Sequence, residues 1–279
     1  MKNNKAWLFV LPALLLLTAF AFIPMFQVLY YSFLKYNIFE EPVFVGVKNY
    51  TRLFHDPKFF WTLLNSLIFI LVTPVMMVVS LMLALLVRQN KTINKFFRSV
   101  YFLPVVTPIV IAGIIWRWIF AEDSGLMNYL LAIIHIPKVS WLTSYPTNIV
   151  SIMILTVWRG MGYYMMIFLS GIALIPKEVE EACRLDGANK FQQVIHIIVP
   201  MIKPVLVLVF VTSSTAAVKM FTELYIMTPG TPMTNKTMVY YLFYQAFERF
   251  DFGYGSAAGV VLFLLTLGFS YTNIRLMEK

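Results

Sequence analysis

Charge is what this chain has least of. Only 13% of its 279 residues are Lys, Arg, Asp or Glu, while 60% are hydrophobic; an ordinary soluble domain carries about 25% charged residues. Twenty-two basic and thirteen acidic side chains are too few to clothe a water-soluble fold of this size. Cysteine is as scarce: Cys183 stands alone, so neither an intramolecular disulfide nor a thiolate cluster for a metal can form. Three scattered histidines, His55, His135 and His196, offer no metal-site spacing. Internal repeats, low-complexity stretches and a soluble domain are also lacking. The apolar runs hold no paired carboxylates and no nucleophile–base set, which leaves an intramembrane enzyme without chemistry.

What is present is long apolar chain, with a mean hydropathy of +0.77. A bilayer crossing needs about 20 apolar residues. Runs near 7–29, 62–87, 100–120, 148–175, 204–227 and 255–274 meet that length. The expected fold is all-α, a polytopic membrane protein with six transmembrane helices in a single domain over 1–279. Pro12, Pro24, Pro74, Pro104 and Pro108 lie in or near these runs and predict bent helices packed against neighbours. The connection 121–147 contains Gly125, Pro137 and Pro146 and reads as a loop with a short helix near 126–134.

Basic residues then set the orientation. Lys2, Lys5, Arg88, Lys91, Lys95, Arg98, Lys177, Arg184, Lys190, Lys203, Arg275 and Lys279 fall on one side of such a topology; Lys35, Lys48, Arg52, Lys58, Lys138, Lys236 and Arg249 fall on the other. The richer side is expected in the cytoplasm, with both termini. The net charge of +9 is thereby read as orientation in a lipid bilayer, not as affinity for nucleic acid. A cleaved signal peptide competes at the N-terminus, where Ala19-Phe20-Ala21 offers a small-x-small site. The apolar run continues through Leu29, well past an ordinary signal core, and favours a retained span. Arg117, flanked by Trp116 and Trp118, reads as an interfacial anchor.

The segment 176–200 is patterned as helix, turn, helix. Pro176 suits a helix start, Glu178, Glu180 and Glu181 complement the positive end of the helix dipole, and Gly187 suits a left-handed stop. Asn189 suits the cap of a second helix ending before Pro200. By physics alone two readings stand: a solvated connector, or a well-capped helix with a small-residue patch at Ala182 and Cys183 on which another protein could dock.

The spacing Glu181-Ala182-Cys183, three residues, Gly187, nine residues, Ile197, one residue, Val199-Pro200 resembles the cytoplasmic signature of bacterial ABC-importer permeases, with Cys183 for the second Ala and Val199 for Leu. Further stretches narrow the resemblance to carbohydrate-type permeases: Phe102-Leu103-Pro104, Ile115 through Phe120 leading to Gly125-Leu126-Met127-Asn128, Trp141-Leu142, Leu185-Asp186-Gly187-Ala188, Thr228-Pro229-Gly230-Thr231-Pro232, and Phe247 followed by Gly253 through Ala258. Thr231 departs from the family's usual Gly-Gly-Pro turn. The resemblance implies a type I ABC-importer permease fold in the bacterial cytoplasmic membrane. It implies a subunit that gates and does no bond chemistry, whose loop, through Glu181, Ala182, Cys183, Asp186 and Gly187, contacts a separate ATPase. Implied partners are a second homologous permease, two ATPase subunits, an extracytoplasmic solute-binding protein and a carbohydrate. No cofactor is expected on this chain; ATP and Mg would sit on the ATPase subunits.

Polar residues inside spans are expensive and face the bundle interior by default. Thr156, Gly160 and Tyr163 fall at i, i+4 and i+7 with Arg159 beside them; Ser213, Ala217 and Met220 repeat that spacing, with Lys219 and Glu223 close by. In the family, solute-lining positions lie on these two helices, which would give Thr156, Gly160, Tyr163 and Ser213 that role. Helix packing is the competing account. Arg159 and Lys219 raise an anionic solute as an option; alternatively Lys219 and Glu223, four apart, neutralise each other and Arg159 serves a carbonyl or a partner. The stretch 230–237 nearly spells a phosphate-binding loop, but Asn235 stands where a glycine belongs and no strand precedes it. An ion-coupled secondary transporter remains the alternative function, with Glu223 as its one intramembrane acid.

Overall fold

The computed structural model describes residues 4–277. Lys2 and Lys279 lie outside the described residues, as do the side chains of Lys5 and Arg184. Among the described residues, four helices are long and apolar enough to cross a bilayer: Phe9–Tyr31, Pro57–Val87, Thr147–Ile172 and Phe252–Thr272. Two bent pairs, Thr92–Val106 with Ile109–Ile119 and Lys190–Met201 with Lys203–Val218, bring the number to six if each pair is one span. They are called the first to sixth spans below, in chain order, with Lys203–Val218 as the fifth span and Lys190–Met201 as the helix that leads into it.

Proline explains most of the bends. The run expected as one crossing at 100–120 is two helices meeting at 94°. Pro108 disfavours the helical region for the residue before it, and Thr107 is extended at ψ 125°. At two other prolines the helix continues by widening first. Thr18–Phe22 and Val194–Ile198 are π turns, and Pro24 and Pro200 each follow two residues later. In a wide turn the N–H of Ile23 reaches the Thr18 carbonyl and that of Val199 reaches Val194, so the carbonyl that a proline ring would strike is displaced. The helix expected to stop before Pro200 therefore runs through it to Met201, and the chain turns by 75° into Lys203–Val218.

The fifth run ends at Val218, short of the expected 227. Phe221, at φ −139°, leaves the helical region, and a separate helix follows at Thr222–Met227. Thr237 Oγ1 donates to the Met220 carbonyl at 2.6 Å, satisfying an acceptor that the break sets free. The short helix expected near 126–134 is Leu126–Ile133. Asn128 on it accepts from Trp141 Nε1 at 2.9 Å and from the Val139 N–H at 3.1 Å, which ties two of the recognised motifs together. The one departure from an all-α chain among the described residues is a two-stranded antiparallel hairpin, β1 (Leu34–Lys35) and β2 (Val43–Phe44).

The bundle has two unlike ends. At the hairpin end, Gly253 lets the sixth span approach β1 so closely that a Cβ would stand 2.0 Å from the Leu34 carbonyl oxygen. Asp56 caps the second span through the Lys58 N–H at 2.8 Å, and its other oxygen accepts from the buried Tyr241 hydroxyl at 2.6 Å. The Tyr241 and Tyr254 hydroxyl oxygens lie 2.9 Å apart; burial holds the Tyr241 phenol protonated by pushing its pKa upward. The opposite end carries the helical elbow, Lys177–Leu185 followed by Lys190–Met201. The first span buries none of its apolar window and packs along the sixth span through Ile23–Tyr31.

Candidate functional site

The elbow is built by local capping. Gly187 takes φ +81°, a conformation that costs a residue with a Cβ about 1–2 kcal/mol. The Ala188 N–H then turns back to the Cys183 carbonyl at 3.0 Å, the six-to-one bond that closes a Schellman stop. Asn189 opens the next helix with a reciprocal box: its side chain accepts from the Gln192 N–H at 2.9 Å, while the Gln192 side chain accepts from the Asn189 N–H at 2.8 Å. Glu181, Ala182, Asp186 and Gly187 are exposed and Cys183 is half-buried. Leu185 and Phe191 on either side of the glycine are 89% and 73% exposed, an apolar surface away from the spans.

The second site is a cavity of about 400 Å³ among the second to fifth spans. All eight residues singled out from the sequence line it: Thr156, Arg159, Gly160, Tyr163, Ser213, Ala217, Lys219 and Met220. They contribute unequally. Tyr163 is half exposed, whereas Ser213, Ala217 and Met220 are almost fully buried. Thr156 Oγ1 donates to the Ile152 carbonyl at 2.8 Å and Ser213 Oγ to that of Val209 at 2.6 Å. Both hydroxyl protons are thus committed to the helix backbone, and each oxygen keeps accepting capacity. Gly160 borders the cavity, but the room it leaves is taken by Met76, whose methyl lies 2.6 Å from where a Cβ would be.

The charges pair otherwise than expected. Glu223 faces Arg159 across the cavity at 4.0 Å. Lys219 and Glu223 are not four apart on one helix, because the chain leaves the helical path between them, and no ion pair joins them among the described residues. Arg159 Nε is buried without a hydrogen-bond partner. Sequence reasoning missed the apolar walls, Val72 and Met76 on the second span and Val105 and Ile109 on either side of the Thr107–Pro108 break; apolar residues in an apolar run carry no distinguishing signal. The break itself was signalled by Pro108.

At the hairpin end, Gly230 supplies the left-handed position of the 228–232 turn at φ +75°. Thr231 needs no such conformation and donates to the Thr228 carbonyl at 3.0 Å. Lys236, 1% exposed, turns inward to the Thr228 carbonyl and Oγ1 and sits 4.5 Å from the Tyr240 ring centre. Its ammonium is therefore unavailable to a phosphate in this segment. Burial lowers its pKa to about 8, with Glu248 opposing the shift.

The family described as binding-protein-dependent transport system inner membrane component matches residues 76–276. The chain is 34% identical to the probable ABC transporter permease protein YurN of Bacillus subtilis (strain 168), over 99% of this chain and 98% of that one. It is also 34% identical to the arabinooligosaccharides transport system permease protein AraP of the same organism, over 99% and 89%. Among solved structures, a bacterial ABC transporter involved in the import of the acidic polysaccharide alginate superposes with a TM-score of 0.86 at 19% identity, covering 99% of this chain and 96% of that one. Nothing in these likenesses supports an ion-coupled alternative. A capped elbow between the fourth and fifth spans, several bilayer-crossing helices and a family match over most of the chain agree: this protein belongs to the binding-protein-dependent transport system inner membrane components, the permease subunits of ABC importers.

Proposed function

We propose that this permease forms half of the pathway of an ATP-driven carbohydrate importer, with a second homologous permease as the other half. Two ATPase subunits, which bind ATP and Mg, would seat the elbow, and an extracytoplasmic solute-binding protein would deliver an oligosaccharide or sugar derivative to the hairpin end. Both termini and the elbow would then lie in the cytoplasm, as the basic residues of the elbow and of 88–98 argue.

The observation that carries this reading is the cavity: four spans surround it, two of them broken beside it, and its lining has the composition of a sugar site. Tyr163 would offer an aromatic face and a hydroxyl, Thr156 and Ser213 would accept from sugar hydroxyls, and Arg159 and Lys219 would admit a carboxylate, phosphate or sulfonate. The carbohydrates named for the relatives support the substrate class. Closure of the ATPases around nucleotide would draw the elbow and its partner copy together and reverse the side from which the cavity is open. Exposed Leu185 and Phe191 around Gly187 supply apolar contact for that docking.

The test is to purify the chain with its co-assembling proteins, reconstitute the complex in lipid and measure ATPase turnover against neutral and uronic-acid oligosaccharides. A subset should raise turnover. If no carbohydrate does so, the substrate class is wrong, and a response to neutral sugars alone would remove the anionic option.

A further inference from the structure

The covalent path from the elbow leads only to the fourth and fifth spans, yet the cavity has second- and third-span walls as well. A polar chain bridges that gap. Arg98, on Thr92–Val106, directs its guanidinium at the open end of the second span, donating through Nε and Nη2 to the Val87 carbonyl at 3.0 and 2.7 Å and through Nη2 to that of Arg88 at 3.2 Å. Those carbonyls are acceptors that the helix end leaves unmatched, so one side chain joins the second span to the third. Arg88 then reaches the elbow: its Nη1 lies 3.0 Å from Glu180 Oε1, with both side chains 24% exposed. Exposed ion pairs contribute little. This one is three-quarters sheltered and borders a cavity of about 550 Å³ between the two connections, lined by Arg88, Arg98, Lys177, Glu180 and Glu181 among others.

We infer that Arg88 and Glu180 are positioning residues that transmit movement of the elbow to the second and third spans, so that all four walls of the cavity respond to one handle. The inference rests on the docking of the elbow to an ATPase proposed above. Arg98 locks the two spans into one unit, and the Arg88–Glu180 pair hitches that unit to the elbow. The second span also packs on the fourth and fifth spans through Met76, Ala84 and Val87, but apolar contact is non-directional and lets helices slide; the pair adds the directional tie that makes the second- and third-span unit follow the elbow.

The assembled importer tests this without knowledge of the solute. Val106 on the third span is 64% exposed and Phe39 in the hairpin is 81% exposed. Ketone-bearing residues placed at these two positions and spin-labelled through oxime chemistry, which leaves Cys183 native, report the movement of the third span against the hairpin end in the nucleotide-free state and with ATP and vanadate. The wild-type pair should give a nucleotide-dependent shift. Arg88→Met and Glu180→Gln should each lose at least half of that shift while the complex still assembles and hydrolyses ATP, and the exchanged pair Arg88→Glu with Glu180→Arg should regain it. Single variants that shift as the wild type does, or an exchange no better than the singles, overturn the link. If the wild-type importer itself shows no shift, or no ATPase co-purifies, the docking reading fails first and takes the link with it.

Discussion

The two ends of this bundle are held by different means. The hairpin end is stitched across long sequence distances: Asp56 to Tyr241, Asn65 to the Thr234 and Lys236 carbonyls, Asn49 to the Ser32 and Leu34 carbonyls, Thr237 to Met220. The elbow end takes its shape from neighbours in sequence, a Schellman stop and a capping box, and it joins the bundle through apolar packing of Val179, Val194 and Ile198 and through the Arg88–Glu180 pair. Long-range bonds between buried groups fix elements relative to one another; local caps fix the shape of an element and leave its position free. One end is thereby a frame fixed by directional bonds, and the other is seated by non-directional apolar packing that permits sliding.

That contrast breaks if the ends respond alike to substitution. The largest effect is expected on transport from Gly187→Val. Nothing lies within 4 Å of a Cβ there, so the cost is confined to the local backbone, yet the stop that shapes the docking surface is lost. Uptake per ATP hydrolysed should collapse while the melting temperature in detergent falls by less than in the hairpin-end variants; wild-type coupling would remove the elbow from the mechanism. At the frame end the reverse holds. Gly253→Val drives a side chain into the Leu34 carbonyl and should cost about 3 kcal/mol, read as a lower melting temperature and reduced accumulation in the membrane. Asp56→Ala removes a helix cap and the acceptor for a buried tyrosine, and should cost about 2 kcal/mol by the same measurement. The smallest effect concerns Lys236. Its folded pKa of about 8 lies below the ordinary lysine value of 10.5, so between those values the unfolded chain binds the extra proton and stability rises with pH. The gain is about 1 kcal/mol between roughly pH 8 and 9. Thermal melts across that range should show the rise in the wild type and a flatter profile in Lys236→Met.

The same contrast explains what could be read from the sequence. Apolar runs declare themselves by length, and the elbow by Pro176, Gly187 and Asn189, because both kinds of signal are local. The frame depends on pairs such as Asp56 and Tyr241, 185 positions apart, for which no spacing rule exists. The Lys219–Glu223 pairing failed for a related reason. No proline or glycine marks the break at 219–221, and its stabilising partner, Thr237, comes from a later turn. Within the cavity the polar faces of the fourth and fifth spans were legible as helical spacing. The opposing apolar walls became visible only once Thr107 and Pro108 had bent the third span.

The wide turn at Val194–Ile198 and the proline behind it have a consequence for how this chain tolerates change. A π turn is an α-helix with one residue inserted, and the surplus residue is what allows Pro200 to remain within the helix. Deleting one residue from this stretch would restore an ordinary ladder and drive the pyrrolidine into it, so lineages that lost the insertion would be expected to lose the proline as well. The pair behaves as one heritable character, and an engineer grafting this elbow onto another permease should move both together.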